Sequence, residues 1–445
     1  MARRNASSSV PLARLAQRIA KRTARIGVIG LGYVGLPLAV EFAKEGFRVT
    51  GIDLDTSRVH GVNRTRSYIL DVSSDDLRAL RRTRRLRATS SFGVLPGLDA
   101  IIVCVPTPLR KTREPDLSYI VSATREIAKR VRRGQLIVLE STTYPGTTDE
   151  VLRPAIEARG LTVGRDFCLA FSPERIDPGN PTYTTRTIPK VIGGATPLCT
   201  KLAGALYGSA IHRIVPVSST KSAEMVKLLE NTFRAVNIGL VNEVAMICSR
   251  LGINVWEVIE AARTKPFGFM AFYPGPGIGG HCIPSDPMYL AWKVRVHGYE
   301  AKFIELATQI NSAMPEYVVE KVAAVLNARR KALKGSAVLL LGLAYKKDVN
   351  DTRDSPAFDV ARLLEERGVR VSYHDPYVSS AILNDRRRSS CALTPAAVRR
   401  ADCVVILTNH SNINYELVLR HASAIVDTRN QYGGQGRRAG RVVPL

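Results

Sequence analysis

The chain has 445 residues, 45% hydrophobic and 23% charged, a globular composition with room for one to three domains and a large core. Its longest apolar runs, such as Ala337–Leu341, fall far short of the roughly 18 residues of a membrane span, and no solenoid period is present, so integral membrane protein, collagen and coiled-coil array are excluded. The 64 Lys and Arg against 39 Asp and Glu give a formal charge of +25, which favours anionic partners, but no zinc-finger spacing or interleaved aromatic pattern points to nucleic acid.

Residues 1–22 are rich in Arg and Ser and free of acid, with Arg3, Arg4, Arg14, Arg18, Lys21 and Arg22 among them, and they lack a secretory apolar core. They are expected to form a disordered basic arm. Residues 25–30 are a short β-branched run and read as a strand, followed at once by Gly30-Leu31-Gly32-Tyr33-Val34-Gly35 and a helix over 36–44. A second strand over 48–52 ends in Asp53, completing a βαβ unit. Further strands are expected at 100–105, 136–139, 167–171 and 190–192, and this alternation argues for a mostly parallel sheet.

A helix is expected over 222–250, broken in composition only by Gly239 and stopped near Gly252, with further helices at 254–264 and 301–311. Its length suggests a partner. After residue 331 the α/β pattern returns: strands at 337–341, 369–373, 403–407 and 424–426, and a helix at 355–367 with Pro356 near its start and Gly368 after its end. The fold class is α/β, two Rossmann-like parallel-sheet domains joined by a central helical domain. The boundaries are set at 1–22 for the arm, 23–215 for the first α/β domain, 216–330 for the centre and 331–445 for the last domain.

The GxGxxG run follows a strand, opens a helix and is trailed by an acid 23 positions after Gly30, which is much stronger than the motif alone. Gly30 permits the tight turn, Gly32 lets backbone approach a pyrophosphate, and Gly35 allows close helix–strand packing. Asp53 would accept from the ribose hydroxyls and repel a 2′-phosphate, favouring NAD over NADP. Arg58 either lies under the adenine or is a surface Arg.

The seven Cys include no CxxC pair, so neither a disulfide framework nor a zinc site is indicated, no metal is expected, and a reduced, cytosolic setting is the simplest reading. Cys104, Cys168, Cys248 and Cys403 sit inside apolar elements as small hydrophobes; Cys199 and Cys391 lie in less regular surroundings. Cys282 differs. It sits in YPGPGIGGHCIPSD, whose Gly and Pro forbid regular structure, and Gly279 and Gly280 would let backbone and ligand come close. A nucleophilic thiolate needs such access, although an incidental Cys in a structural loop fits the same residues. On the long helix Lys227, Asn231 and Arg234 share one face, which on periodicity alone faces solvent or lines a site. Glu174 follows a strand, where α/β sites are built, or is a salt-bridged loop residue.

In order along the chain stand GLGYVGLPLA, VPTPL, ESTTYPGTT, FSPERIDPGN, AEMVKLLENTFRAVNIGLVNE, PGPGIGGHCIPSDP, GLAYKKDVNDTRDSP and IVDTR. Together they resemble the UDP-glucose/GDP-mannose dehydrogenase family of nucleotide-sugar 6-dehydrogenases, over residues 25–429. The resemblance implies a four-electron oxidation of a UDP-sugar at C6 with two NAD in succession. It implies Cys282 as the nucleophile, Lys227 and Asp286 as the groups handling alkoxide and proton, Asn231 as an oxyanion or water contact, and Glu174 as the base for thioester hydrolysis. For the cofactor it implies Tyr33, Val34, Thr107, Thr142, Thr143 and Arg353 beside the glycines, Asp53 and Arg58. For the substrate it implies Glu174, Arg175, Ile176, Lys227, Asn231, Arg234, Tyr273, Gly279, Tyr345, Lys346, Lys347 and Arg429. It also implies a homodimer through the central helix.

Two departures bear on the sugar. Members acting on UDP-glucose carry Lys before the Asp that follows the Cys, where this chain has Ser285; others carry a basic residue in the stretch that here reads Lys265 to Met270. TKPFGF with YPGPGIGGHCIP and SPERIDPGN looks most like the UDP-N-acetylglucosamine 6-dehydrogenase branch, with UDP-N-acetylmannosamine, UDP-N-acetylgalactosamine and UDP-glucose left open. The rival from another class is a non-catalytic protein that keeps the NAD fold and binds polyanions through its arm.

Overall fold

The structure, a computed structural model, describes residues 10–69, 71–110, 114–176, 182–433 and 440–445. Contacts divide the chain into two compact units, Met1–Glu230 with Trp292–His297, and Asn231–Ala291 with Gly298–Leu445.

The first unit is built on eight strands: β1 Arg25–Ile29, β2 Arg48–Ile52, β3 Leu86–Thr89, β4 Ala100–Val103, β5 Leu136–Leu139, β6 Cys168–Phe171, β7 Lys190–Gly194 and β8 Ile214–Val217. Their order is β3-β2-β1-β4-β5-β6-β7-β8. β1 pairs in parallel with both β2 and β4, and only β6 with β7 is antiparallel. β4, β5 and β6 are buried along their whole length. That explains their unbroken apolar sequence, since helices cover both faces of such a sheet. The strand order reverses between β1 and β4, which opens a crevice at their carboxyl ends.

Residues 10–20 correct the expectation of a disordered arm. They form a helix, Val10–Ala20, with Leu12, Leu15 and Ile19 buried in the core of the first unit. The apolar spacing of three and four residues is an amphipathic signal that a reading by charge overlooks, because Arg14, Arg18, Lys21 and Arg22 occupy the exposed side. Arg18 also reaches the buried Asp99 at 2.6 Å, and Asp99 accepts in addition from the Arg25 amide and from Arg132. Residues 1–9 lie outside the described residues, as do Arg437 and Arg438 of the basic tail.

Cys199 is likewise better placed than its sequence suggests. It lies in the first turn of helix Pro197–Tyr207, fully buried, with the Leu169 amide donating to its sulfur at 3.4 Å.

In the second unit, β9 Ala337–Leu341, β10 Arg370–His374, β13 Cys403–Ile406, β14 Ile425–Asp427 and β15 Val442–Pro444 form a parallel sheet in the order β10-β9-β13-β14-β15. β11 Ser380–Leu383 and β12 Arg386–Ser389 make a separate hairpin. The helix Thr220–Leu251 begins in the first unit and continues into the second. There Gly239 lies so near Ala307 that an added Cβ would be 3.1 Å from its Cα. The facing helix runs Lys302–Asn327, well past the expected end at 311 and through Pro315. Among the described residues no helix is long and apolar enough to cross a membrane, and no group of three or more His, Cys, Asp or Glu could hold a metal.

The N-terminal helix should therefore contribute to stability. Leu15, 2% exposed, replaced by Ala should cost about 2 to 5 kcal/mol. The check is the denaturant midpoint of the first unfolding transition, and an unchanged midpoint would mean that the helix is not anchored as described.

Candidate functional site

In the first unit the expected cofactor residues, all but Arg353, gather around the carboxyl ends of β1, β2, β4 and β5. Gly30 has φ +92°, and a Cβ there would lie 2.3 Å from the Cys104 carbonyl oxygen. A Cβ on Gly35 would lie 1.9 Å from the Gly30 oxygen. Both positions therefore demand glycine on steric grounds. Gly32 is different: the nearest atom to its Cβ position is Arg58 Nη1 at 3.9 Å, so its free side is open. Helix Gly35–Lys44 starts at Val34 without a side-chain cap, leaving N–H groups directed at that open side. Tyr33 is exposed at the turn.

Asp53 is held by the Leu31 amide at 2.7 Å and the Asp55 amide at 2.9 Å, with Arg58 at 3.3 Å. Arg58 is thus tied to the acid and set beside the glycine turn, rather than being a detached surface residue. A glycine-lined turn, an uncapped helix start and a fixed acid at the next strand end fit a dinucleotide. Gly32 and the helix start would hold its pyrophosphate and Asp53 its ribose. Thr107 and Thr142 are half-buried in the loops after β4 and β5. Thr143 departs from the expected open contact: it is 1% exposed, with its hydroxyl 2.5 Å from that of Thr147.

Glu174 lies just after β6 and is 8% exposed. Its Oε1 accepts from the Arg175 amide at 2.7 Å and the Ile176 amide at 2.5 Å, while Lys190 Nζ approaches Oε2 at 3.3 Å. Burial pushes this carboxyl up, but Lys190, the Ile176 amide and Lys227 outweigh it, and the acid is held below the usual range. Arg175 points elsewhere, to Glu230 at 2.6 Å and the Pro189 carbonyl. Lys227 is buried, not solvent-facing, and its Nζ donates to the Glu174 backbone oxygen at 2.5 Å.

Sequence reasoning missed the groups behind Glu174. Lys190 also bonds Glu140, whose other oxygen accepts from Tyr207 Oη at 2.5 Å, and all three side chains are buried. Burial pushes Glu140 up to about 7, with Lys190 pulling the other way. Glu224, also missed, is fully buried and takes the Gly146 and Thr148 amides, tying the turn after β5 to the long helix. A carboxylate inside an apolar helix stretch was the available signal.

The second unit holds the thiol. Cys282 is half-buried, and its carbonyl oxygen accepts from the amides of Ser285 and Asp286, closing a turn that leads into helix Asp286–Arg295. The sulfur lies 3.6 Å from His281 Nε2. Asp286 is 3% exposed and takes a hydrogen bond from Asn231 Nδ2, so Asn231 is buried too, whereas Arg234 is exposed. Gly279 and Gly280 let the loop pack closely against the Tyr345 side chain. An added Cβ would lie 2.5 Å from Tyr345 Cβ in the first case and 2.9 Å from its ring in the second. The Gly280 amide also donates to the Arg353 oxygen at 3.0 Å, and the Arg353 guanidinium grips Asp351 through two nitrogens. Arg429 Nε donates to the Leu407 carbonyl, and its guanidinium lies against Gly275. Lys347 is exposed and Lys346 half-buried. Tyr273 stacks on Trp256 and donates to Glu260 at 2.7 Å.

The chain matches three domains of the UDP-glucose/GDP-mannose dehydrogenase family: the NAD binding domain over residues 24–211, the central domain over 221–313 and the UDP binding domain over 339–434. It is 39% identical to UDP-N-acetyl-D-glucosamine 6-dehydrogenase of Pseudomonas aeruginosa, across 80% of this chain and 83% of that protein. It is 36% identical to UDP-N-acetyl-D-mannosamine dehydrogenase of Pyrococcus horikoshii, across 91% and 95%, and a solved structure of that enzyme superposes with a TM-score of 0.83. The NDP-N-acetyl-D-galactosaminuronic acid dehydrogenase structure from Methanosarcina mazei also gives 0.83, at 29% identity, covering 98% of this chain and 97% of that one.

Replacing Asp53 by Asn should weaken NAD binding about tenfold, the scale of one hydrogen bond to a charged group, and narrow the preference over NADP. Fluorescence titrations with both dinucleotides test this. An unchanged ratio would show that the acid does not face the ribose.

Proposed function

Because the chain belongs to the UDP-glucose/GDP-mannose dehydrogenase family, it is an NAD-dependent nucleotide-sugar 6-dehydrogenase, and we propose that it oxidises C6 of a UDP-N-acetylhexosamine from alcohol to carboxylate through a covalent adduct on Cys282. UDP-N-acetylglucosamine is the first choice of sugar, supported by the relative just described and by Ser285 and the Lys265–Met270 stretch. UDP-N-acetylmannosamine and UDP-glucose are the alternatives, since one hydroxyl or acetamido contact can switch preference. The product would feed uronic-acid units into surface polysaccharide, made in the cytoplasm.

The observation that supports the covalent route is the construction of the thiol turn. The carbonyl of Cys282 is bonded to the Asp286 amide, and the Asp286 carboxylate is bonded to Asn231. The thiol and the Asp286 carboxylate thus sit on one short turn, with Asn231 of the long helix bonded to that carboxylate. NAD, when bound, supplies the acceptor for each of the two hydrides. The roles of this chain's own groups follow. Lys227 takes the proton of the C6 alcohol and stabilises its alkoxide. The Cys282 thiolate attacks the aldehyde carbon, forming a C–S bond as the carbonyl π bond opens, and the new oxyanion takes back the proton held by Lys227, with Asp286 and Asn231 alongside. This thiohemiacetal retains a C–H bond to lose, and the aldehyde cannot escape. Once a thioester has formed, water attacks its carbonyl carbon, Glu174 takes the water's proton, and the C–S bond breaks to return the thiolate.

Thr107 and Thr142 line the nicotinamide end in this reading, with Thr143 as support through Thr147. Tyr345, Lys346, Lys347, Arg353 and Arg429 serve the nucleotide-sugar or cofactor. A homodimer through helix Thr220–Leu251 belongs to the same proposal. Leu229, Phe233, Leu240 and Ile247 are 46 to 58% exposed on it, at spacings of four and seven that form one apolar stripe.

A panel of UDP-sugars should give two NADH per sugar, with the highest kcat/KM on UDP-N-acetylglucosamine. Intact-protein mass spectrometry during turnover should find the nucleotide-sugar on Cys282, and Cys282→Ser should release no uronate. Normal uronate release by Cys282→Ser would sink the covalent route, whereas a better UDP-glucose substrate would sink only the sugar.

A further inference from the structure

Glu174 is one end of a chain of four buried side chains, all in the first unit. Tyr207, on helix Pro197–Tyr207, donates to Glu140 at the end of β5. Glu140 accepts from Lys190, the first residue of β7, and Lys190 Nζ stands 3.3 Å from Glu174 Oε2. Relative exposures are 0% for Tyr207, 1% for Glu140, 4% for Lys190 and 8% for Glu174. Lys190 also lies 5.8 Å from the Tyr207 ring centroid. A buried ion set of this kind is a poor source of stability, because the desolvation cost offsets the attraction, so it calls for another reason.

The geometry at Glu174 supplies one. Its Oε1 is filled by two backbone amides, whereas Oε2 faces the Lys190 ammonium, with the Glu140 carboxyl also within hydrogen-bonding reach of the side chain. The side chain can therefore neither rotate nor exchange its oxygens without breaking the bond to Lys190. We propose that Lys190, with Glu140 and Tyr207 behind it, is a positioning residue that keeps the Glu174 carboxylate ionised and aimed for thioester hydrolysis. The inference rests on the reading of Glu174 as the base. Lys190 touches neither water nor thioester in this scheme and acts through Glu174. In the step it supports, water oxygen bonds to the acyl carbon, the water proton goes to the carboxylate, and the acyl C–S bond breaks to thiolate.

The groups around Glu174 are Lys190 from β7, Glu140 from β5, Lys227 from the long helix, Cys104 just past β4, and its neighbour Arg175, which is paired with Glu230. Lys190 and Lys227 favour the ionised base, while burial opposes it. Loss of the Lys190 cation therefore raises the Glu174 pKa. The base then protonates at higher pH, and hydrolysis fails as pH falls through that new value.

The test is the pH profile of adduct breakdown on full-length enzyme with saturating NAD and sugar, followed by intact mass. Lys190→Met should move the acid limb of the hydrolysis rate up by about one to two pH units, so that the rate falls about ten- to a hundredfold at a fixed pH on that limb. KM for the sugar and the initial burst of two NADH per site should hold, and Lys190→Arg should bring the limb back towards the wild-type position. If Lys190→Met does not fold, Lys190→Met with Glu140→Gln removes one cation and one anion together and should move the limb in the same direction by a smaller amount. A uniform rate loss at every pH, with the burst reduced in proportion, would show a structural ion pair and overturn the inference. Glu174→Gln separates the two readings. It should stall as adduct at all pH values, and if it turns over normally the base assignment itself is wrong. If it stalls while Lys190→Met keeps the wild-type limb, only the positioning role is lost.

Discussion

Where the central strand of a parallel sheet ends, the next peptide N–H leaves the ladder and needs an acceptor. This chain supplies one twice, from a carboxylate at the end of the neighbouring strand. After β1 the Leu31 amide donates to Asp53 at the end of β2, and after β9 the Leu343 amide donates to Asp375 just past β10. The interaction turns the chain sharply out of the strand and fixes the acid beside that turn. The loops of both sheets are arranged around it. The two acids nonetheless differ in what remains available. Asp375 is 2% exposed and accepts from the amides of Leu343, Ala344, Tyr377 and Val378 and from the fully buried His410. Burial pushes it up, but His410 and the amides outweigh that and hold it far below the usual range. With its lone pairs taken, it can only brace the loop. Asp53 has two amides and one guanidinium at 3.3 Å, fewer partners than Asp375, and keeps capacity for a ligand.

The same contrast explains what could be read from sequence. The glycine turn was legible because each glycine answers a local demand. A Cβ at Gly30 or Gly35 would strike backbone within 2.3 Å, and the strand, turn, helix and acid are consecutive. The parallel sheet was legible for a similar reason, since strands buried on both faces read as short, nearly unbroken apolar runs. The family resemblance added the chemistry of Cys282, which no local spacing could supply.

What stayed hidden depends on partners far apart in sequence. Lys190 sits 16 residues from Glu174 and 50 from Glu140. On its own it looks like the charged first residue of a strand. Gly279 and Gly280 looked like room for a ligand, but Tyr345 fills that space from 65 residues away. The N-terminal helix failed for another reason: its net charge is a surface property, and three buried residues in eleven are enough to dock it.

Placing charged groups deep in the first unit has a physical logic. A buried carboxylate that must accept a proton has to be ionised beforehand, and in an unpaired apolar pocket it would already be protonated. Amide donors and cations outweigh its burial and keep it ionised. The cation in turn cannot be left alone, and a second carboxylate, steadied by a phenol, balances it. Glu140 absorbs the surplus by sitting near neutrality, pushed up by burial to about 7, while Glu174 is held low. Two acids on one ammonium are thus driven apart in acidity by where the backbone donors lie. Only Glu174 receives them, because β6 ends three residues before it and the chain bends so that the next two amides point back at its carboxylate.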